Sequence, residues 1–335
     1  MALPVIRSIK GADDSWAEAA SSLAYRAGWK ITAALPQPIA ARFFTAVADV
    51  ASKNGAGPEQ LRKNLARVVG PENVTRDLVK RSMRSYMRYW REAFQLPAMS
   101  AQQLADVLDH AFVGESREHV DAAVAAGKGV ILALPHAGNW DMAGVWLVQR
   151  HGTFTTVAER LRPESLFDAF VDYRESLGFE IIALTGSEQP PMRRMEEVLR
   201  GGGLVCLMGE RDMSGHGVDV QFFGEQTSMP AGPALLAQKT GASLHAVGVS
   251  FTGGDSSPEG GEEGWGFRVS PPIDAERPLE HVVQDLADHF AHNIACDPQD
   301  WHMLQPLWHA DLSERRRQKM ARVRANRTHE AGKGK

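Results

Sequence analysis

His136, Asn139, Trp140 and Asp141 fall within one short stretch, LPHAGNWDMAG, over residues 134–144. An imidazole takes up a proton reversibly near neutral pH. A carboxylate on one ring nitrogen fixes the tautomer and makes the other nitrogen a better base. His136 and Asp141 are five residues apart. On one continuous helix they would point about 140° apart and could not meet. Pro135 disfavours helix just before the histidine, and Gly138 with Asn139 permits a sharp loop. The expectation is a loop that folds the Asp141 carboxylate back to the imidazole and presents a base. A buried histidine capped by an aspartate is also a common structural feature, so the pair alone is a weak sign of catalysis.

The elements that must position this loop follow from hydrophobic patterning. GVILAL (129–134) runs straight into it, and similar apolar runs occupy 153–158, 179–184, 203–208, 243–251 and 266–270. Helical segments fit between them at about 142–150, 164–177, 188–200, 230–240 and 279–296. That alternation predicts an α/β fold with a central, mostly parallel sheet flanked by helices. Ligands of such sheets collect at the carboxyl ends of the strands, which is where His136 falls. Three regions are expected: a helical, basic, membrane-facing region (1–102), the α/β catalytic domain (103–312) and a basic, flexible tail (313–335). The polar stretch 252–264 reads as a surface turn between two strands.

The net charge is −4, but it is unevenly spread. Residues 1–100 carry +7 and residues 313–335 another +7, which leaves −18 for the middle. Basic ends on an acidic body suit docking to an anionic membrane leaflet. Nucleic acid is not expected, because the tail lacks aromatic residues for stacking on bases. The segment 75–94 carries Arg76, Lys80, Arg81, Arg84, Arg88 and Arg91, and the expectation is that they meet a lipid headgroup or phosphate. Leu23, Trp29, Ile31, Phe43, Phe44 and Val47 lie near Arg26 and Lys30 in a helical stretch, 15–52. This reads equally as an interfacial helix or as one packed on the body. The first residues lack the apolar core of a signal peptide, and no run of 18 apolar residues could span a bilayer. Two cysteines are no disulfide framework and point to a reducing compartment. Cys206 reads as packing inside a strand. His289, His292 and Cys296 share an amphipathic helix that explains them without zinc, since no fourth ligand is at hand.

His136-Ala-Gly-Asn-Trp-Asp141 resembles the H-x4-D motif of glycerolipid acyltransferases. In its H-x-G-N-W-[DE] form it is similar to the branch that holds the lipid A and phosphatidylinositol mannoside acyltransferases. Residues 158–178, 201–249 and 297–308 resemble later blocks of that branch. WHMLQPLWHADL stands where the lipid A enzymes carry a basic aromatic run. That departure, and the lack of their N-terminal anchor, point to the mannoside side of the branch. The resemblance implies His136 as base, Glu210 as the acid working with it, and Asp141 as support. It further implies Asn139, Trp140, Glu159, Arg174 and Arg211 at the substrate, and no metal or cofactor. Acyl-CoA would be a co-substrate and a mannosylated phosphatidylinositol the acceptor. The expected reaction moves a long-chain acyl group, palmitoyl, to a mannose hydroxyl without an acyl-enzyme. The expected place is the cytoplasmic face of the bacterial plasma membrane, with peripheral attachment. Lipid A-type transfer and thioester hydrolysis are the alternatives. Arg174 has a separate argument: Phe167, Phe170, Tyr173 and Leu177 line its side of a helix, so it needs an acid, Asp141 or Glu159. Arg211 and Asp212 either line the site or pair with each other.

Overall fold

The computed structural model describes residues 28, 31–159, 164–186 and 189–333. Leu23, Arg26, Trp29 and Lys30 lie outside the described residues.

A six-stranded sheet forms the centre, in the order β3-β2-β4-β1-β7-β8. Its strands are β1 (Val130–Leu134), β2 (Phe154–Ala158), β3 (Glu180–Ala183), β4 (Leu204–Met208), β7 (Ser243–Thr252) and β8 (Gly264–Val269). All neighbours are parallel except β7 and β8, so the expected α/β architecture holds. Every residue of β1 is buried, as a central strand covered on both faces requires. Helices α6 (Trp140–His151) and α7 (Glu164–Ser176) cover one face. Helices α8 (Pro191–Arg200), α9 (Gly232–Thr240) and α10 (Leu279–Cys296) cover the other. The patterning did not single out the hairpin of β5 (Val218–Phe222) and β6 (Glu225–Met229) as strands. Its two-residue turn is Phe223-Gly224, with φ of +51° and +77°, the positive pair that matches strand twist in tight hairpins.

The helical region holds α1 (Gln37–Ala51), α2 (Glu59–Val69), α3 (Arg76–Gln95), α4 (Ala101–Leu108) and α5 (Ser116–Ala125). Helix α3 carries the six cations expected to meet a lipid headgroup or phosphate, and five of them are engaged within the fold. Arg88 is buried, bonds Glu92 at 2.7 Å and donates to the carbonyls of Thr252, Gly253 and Gly264. Arg91 is buried against Glu263, Arg84 and Lys80 pair with Asp49, and Arg81 pairs with Asp77. For Arg88 and Arg91 the physical reason is the turn between β7 and β8. Its carbonyls need donors, and a buried guanidinium needs acids and carbonyls around it.

The basic tail carries helical order. Glu314–Lys333 form helix α11. Arg316, Met320 and Val323 repeat at helical spacing along it. Met320 and Val323 lie beside Gly215, and Arg316 bonds the Asp212 carbonyl at 3.0 Å. Glu314 supports the first turns through Arg317 and Gln318, the i+3 and i+4 pairs that stabilise exposed helices.

Candidate active site

The parallel register of β1 and β4 sets the site. Leu134 pairs with Met208, and Gly209 N–H continues the ladder to the Leu134 carbonyl at 2.9 Å. His136 and Glu210 each lie two residues past that pair, so the two strand ends bring them together. Glu210 Oε1 accepts from His136 Nδ1 at 2.6 Å and from the His136 backbone N–H at 2.8 Å. Its side chain is 0% exposed, whereas that of His136 is 39% exposed. Burial pushes the Glu210 carboxyl up, but the His136 charge and both His136 hydrogen bonds outweigh it, and its pKa lies below the ordinary value. An ionised glutamate on Nδ1 leaves Nε2 to take a proton.

The expectation that Asp141 folds back to the imidazole is not met. Asp141 sits in the first turn of α6, buried, and accepts from Arg174 Nε at 2.9 Å and Nη2 at 3.3 Å. Tyr89 Oη adds a bond of 3.4 Å. Burial opposes the Arg174 charge, but the Asp141 carboxylate more than offsets it, so the guanidinium pKa is raised. The acid that Arg174 requires is therefore Asp141 and not Glu159.

The loop itself is clamped. Ala137 pairs with Trp301, Gly138 N–H donates to the Asp300 carbonyl, and His302 N–H donates to the His136 carbonyl. Gly138 has φ +56°, and an added Cβ would lie 2.7 Å from the Val249 carbonyl oxygen, so only glycine fits there. Asn139 does not line the cavity. Its Oδ1 caps α6 at the Asp141 and Met142 N–H groups, and its Nδ2 donates to Glu92 at 2.8 Å. The expectation that Asn139 binds substrate is corrected on that ground: one end of its amide caps the helix and the other is held by Glu92.

His136 opens onto a cavity of about 990 Å³. Trp140, Glu159, Arg174 and Arg211 stand in its wall. Its deeper part, beneath α6, is apolar, with Leu132, Met208, Val247 and Phe267 among the lining residues. Cys206 faces it as well, but burial pushes its thiol well above the ordinary range, which leaves it protonated and a poor nucleophile.

Sequence reasoning missed a second polar cluster. His302 lines the cavity, is buried, and its Nε2 lies 3.0 Å from Ser85 Oγ. Ser85 donates to Asp300 Oδ1 at 2.7 Å, and Phe251 N–H donates to Oδ2 at 2.8 Å. Burial, then the charge of His136, pulls the His302 pKa down to about 3, so it stays neutral. Its Nδ1 is buried without a partner among the described residues. A histidine beside Trp301 in an apolar block was the available signal, but its contact with Ser85 on α3 lies 217 residues away in sequence.

Residues 16–310 match the sequence model of bacterial lipid A biosynthesis acyltransferases. The phosphatidylinositol mannoside acyltransferase of Mycolicibacterium smegmatis is 53% identical over 303 residues, covering 90% of this chain and 95% of that protein. The phosphatidylinositol mannoside acyltransferase of Mycobacterium tuberculosis is 54% identical over 301 residues, covering 89% and 92%. The chain therefore belongs to the bacterial lipid A biosynthesis acyltransferase family and is an acyltransferase.

Proposed function

We propose that the chain transfers a palmitoyl group from acyl-CoA to a mannose hydroxyl of a phosphatidylinositol mannoside. The observation that carries this reading is a half-exposed imidazole, backed by a buried glutamate, at the wall of a deep apolar cavity. The names of the relatives support the acceptor. The cavity suits a long acyl chain, and Nε2 suits removal of the proton from an attacking hydroxyl. A thioester arrives activated, so the hydroxyl attacks it directly. His136 accepts the hydroxyl proton and passes it to the leaving thiolate as the tetrahedral intermediate collapses, which leaves the imidazole neutral again. No acyl-enzyme forms.

Among the described residues no helix is long and apolar enough to cross a membrane. Ile39, Phe43 and Val50 lie along one outward stripe of α1, exposed by 54%, 57% and 80%. That stripe supports peripheral docking at the cytoplasmic face of the plasma membrane.

The test is purified protein with radiolabelled palmitoyl-CoA and two acceptors, a phosphatidylinositol mannoside and a lipid A precursor. Label in the mannoside alone is expected. Label in the lipid A precursor moves the acceptor to the lipid A type. Free palmitate with no lipid product makes the chain a thioesterase. Label that stays on the denatured protein overturns direct attack.

A further inference from the structure

We infer that Arg211 and Arg316 form a phosphate-binding site at the rim of the cavity, next to Glu210. Arg211 follows Glu210 directly, so their Cα atoms are about 3.8 Å apart, and its side chain stands in the cavity wall. Its Nε is buried without a hydrogen-bond partner, and no ion pair engages it among the described residues. None of the acids around it bonds it among the described residues. Asp212 holds its own loop: Oδ1 accepts from the Ser214 and Gly215 N–H groups and from Ser214 Oγ, and Oδ2 accepts from Gly217 N–H. Glu210 gives Oε1 to His136, its buried Oε2 accepts no hydrogen bond among the described residues, and its charge attracts Arg211. Glu159, at the end of β2, attracts Arg211 without a hydrogen bond.

A second cation arrives from α11. Arg316 Nη2 anchors on the Asp212 carbonyl at 3.0 Å. Arg315, Lys319 and Arg322 form an exposed stripe on the same helix, at i, i+4 and i+7. Burial and then the charge of Arg316 pull the Arg211 pKa below its ordinary value. Two guanidinium groups that repel each other, one half-buried and with an idle N–H, form an arrangement that a bound anion would complete. The planar fork of arginine matches phosphate oxygens in particular.

The inference rests on the reading under Proposed function for the source of the phosphate, since both substrates there carry one. The donor has the phosphates of coenzyme A, and the acceptor has the phosphodiester of its lipid headgroup. Calorimetric titration of the full chain separates them, with adenosine 3′,5′-diphosphate as one probe and glycerophosphoinositol as the other. One of the two is expected to bind, more weakly as salt rises. Arg211→Gln and Arg316→Gln should each weaken that binding about tenfold or more, the scale of one charge-assisted hydrogen bond. Arg211→Lys should lose less than Arg211→Gln, because the charge remains and only the fork is gone. In steady-state assays the KM of the matching substrate should rise by the same factor, with the other KM unchanged. Arg316 lies on a surface helix, so its variant keeps the fold even if Arg211→Gln does not. If neither probe binds the parent chain, or the variants bind as the parent does, the site does not exist. Binding that behaves as expected in a chain that transfers no acyl group would overturn the proposed reaction and leave the phosphate site standing.

Discussion

Two acid–base pairs begin in the same turn of chain and end differently. His136 pairs with Glu210, and Asp141, five residues on, pairs with Arg174. In the first, the acid is sealed and the base opens to the cavity. In the second, the carboxylate is buried, takes two donors from the arginine and one from Tyr89, and joins α6 to α7 and α3. The difference lies in which atom is left over. Glu210 occupies Nδ1 of His136 and leaves Nε2 with a lone pair, so the first pair can exchange a proton. In the second pair both oxygens of the carboxylate are engaged by the arginine, and no atom of it faces a reacting group. The H-x4-D spacing thus contains one group poised for chemistry and one that locks its support.

The largest expected effect sharpens this contrast. His136→Ala should lower turnover by about 10²–10⁴-fold, the usual worth of a general base, while the melting temperature and donor binding persist. Steady-state rates beside a thermal scan decide it, and near-normal turnover would remove His136 from the chemistry. Arg174→Ala should do the reverse. It leaves a buried Asp141 unpaired, which costs about 3–5 kcal/mol, read as a shift of the denaturant midpoint. Lost turnover with an unchanged midpoint would place Arg174 at the substrate instead.

Glu210→Gln comes next. It keeps the shape but loses the charge that holds the His136 tautomer, so turnover should fall. The double variant with His136→Ala should be little slower than His136→Ala alone, since groups acting as one unit are not additive. Additive losses would mean that Glu210 acts by itself.

The smallest effect concerns the cluster behind the loop. Asp300 has its carboxyl pushed up to about 7, chiefly by burial, against the bonds from Phe251 and Ser85. A raised carboxyl holds its proton more tightly in the folded chain, so its contribution to stability falls as pH rises from 3.8 to about 7. His302 is lowered from 6.5 to about 3, so its contribution falls as pH drops through that range. In the parent chain the two slopes oppose each other. Denaturant midpoints across pH should separate them. Relative to the parent, Asp300→Asn should gain stability with rising pH, and His302→Gln should lose it. Each slope is at most about 1.4 kcal/mol per pH unit. Flat differences would show that neither group carries a shifted proton.

Local order was legible in the sequence because it depends on neighbours in the chain. Apolar runs of strand length alternating with helical segments specify a parallel sheet, and a proline and a glycine either side of His136 place it on a loop at a strand end. Glu210 was reached through family resemblance, and spacing alone pointed to Asp141. Only the tertiary structure decided between those acids, because the choice depends on β4 lying beside β1 in one register. The same holds for the cations of α3. Their number is visible in the sequence, but whether they meet solvent or the β7–β8 turn is a matter of packing. Residues 314–333 read as a tail until the loop at Gly215 supplies the surface that Met320 and Val323 cover. Periodicity is a property of the segment, whereas the partner of a charge is set by long-range contacts that bring distant strand ends and helices together.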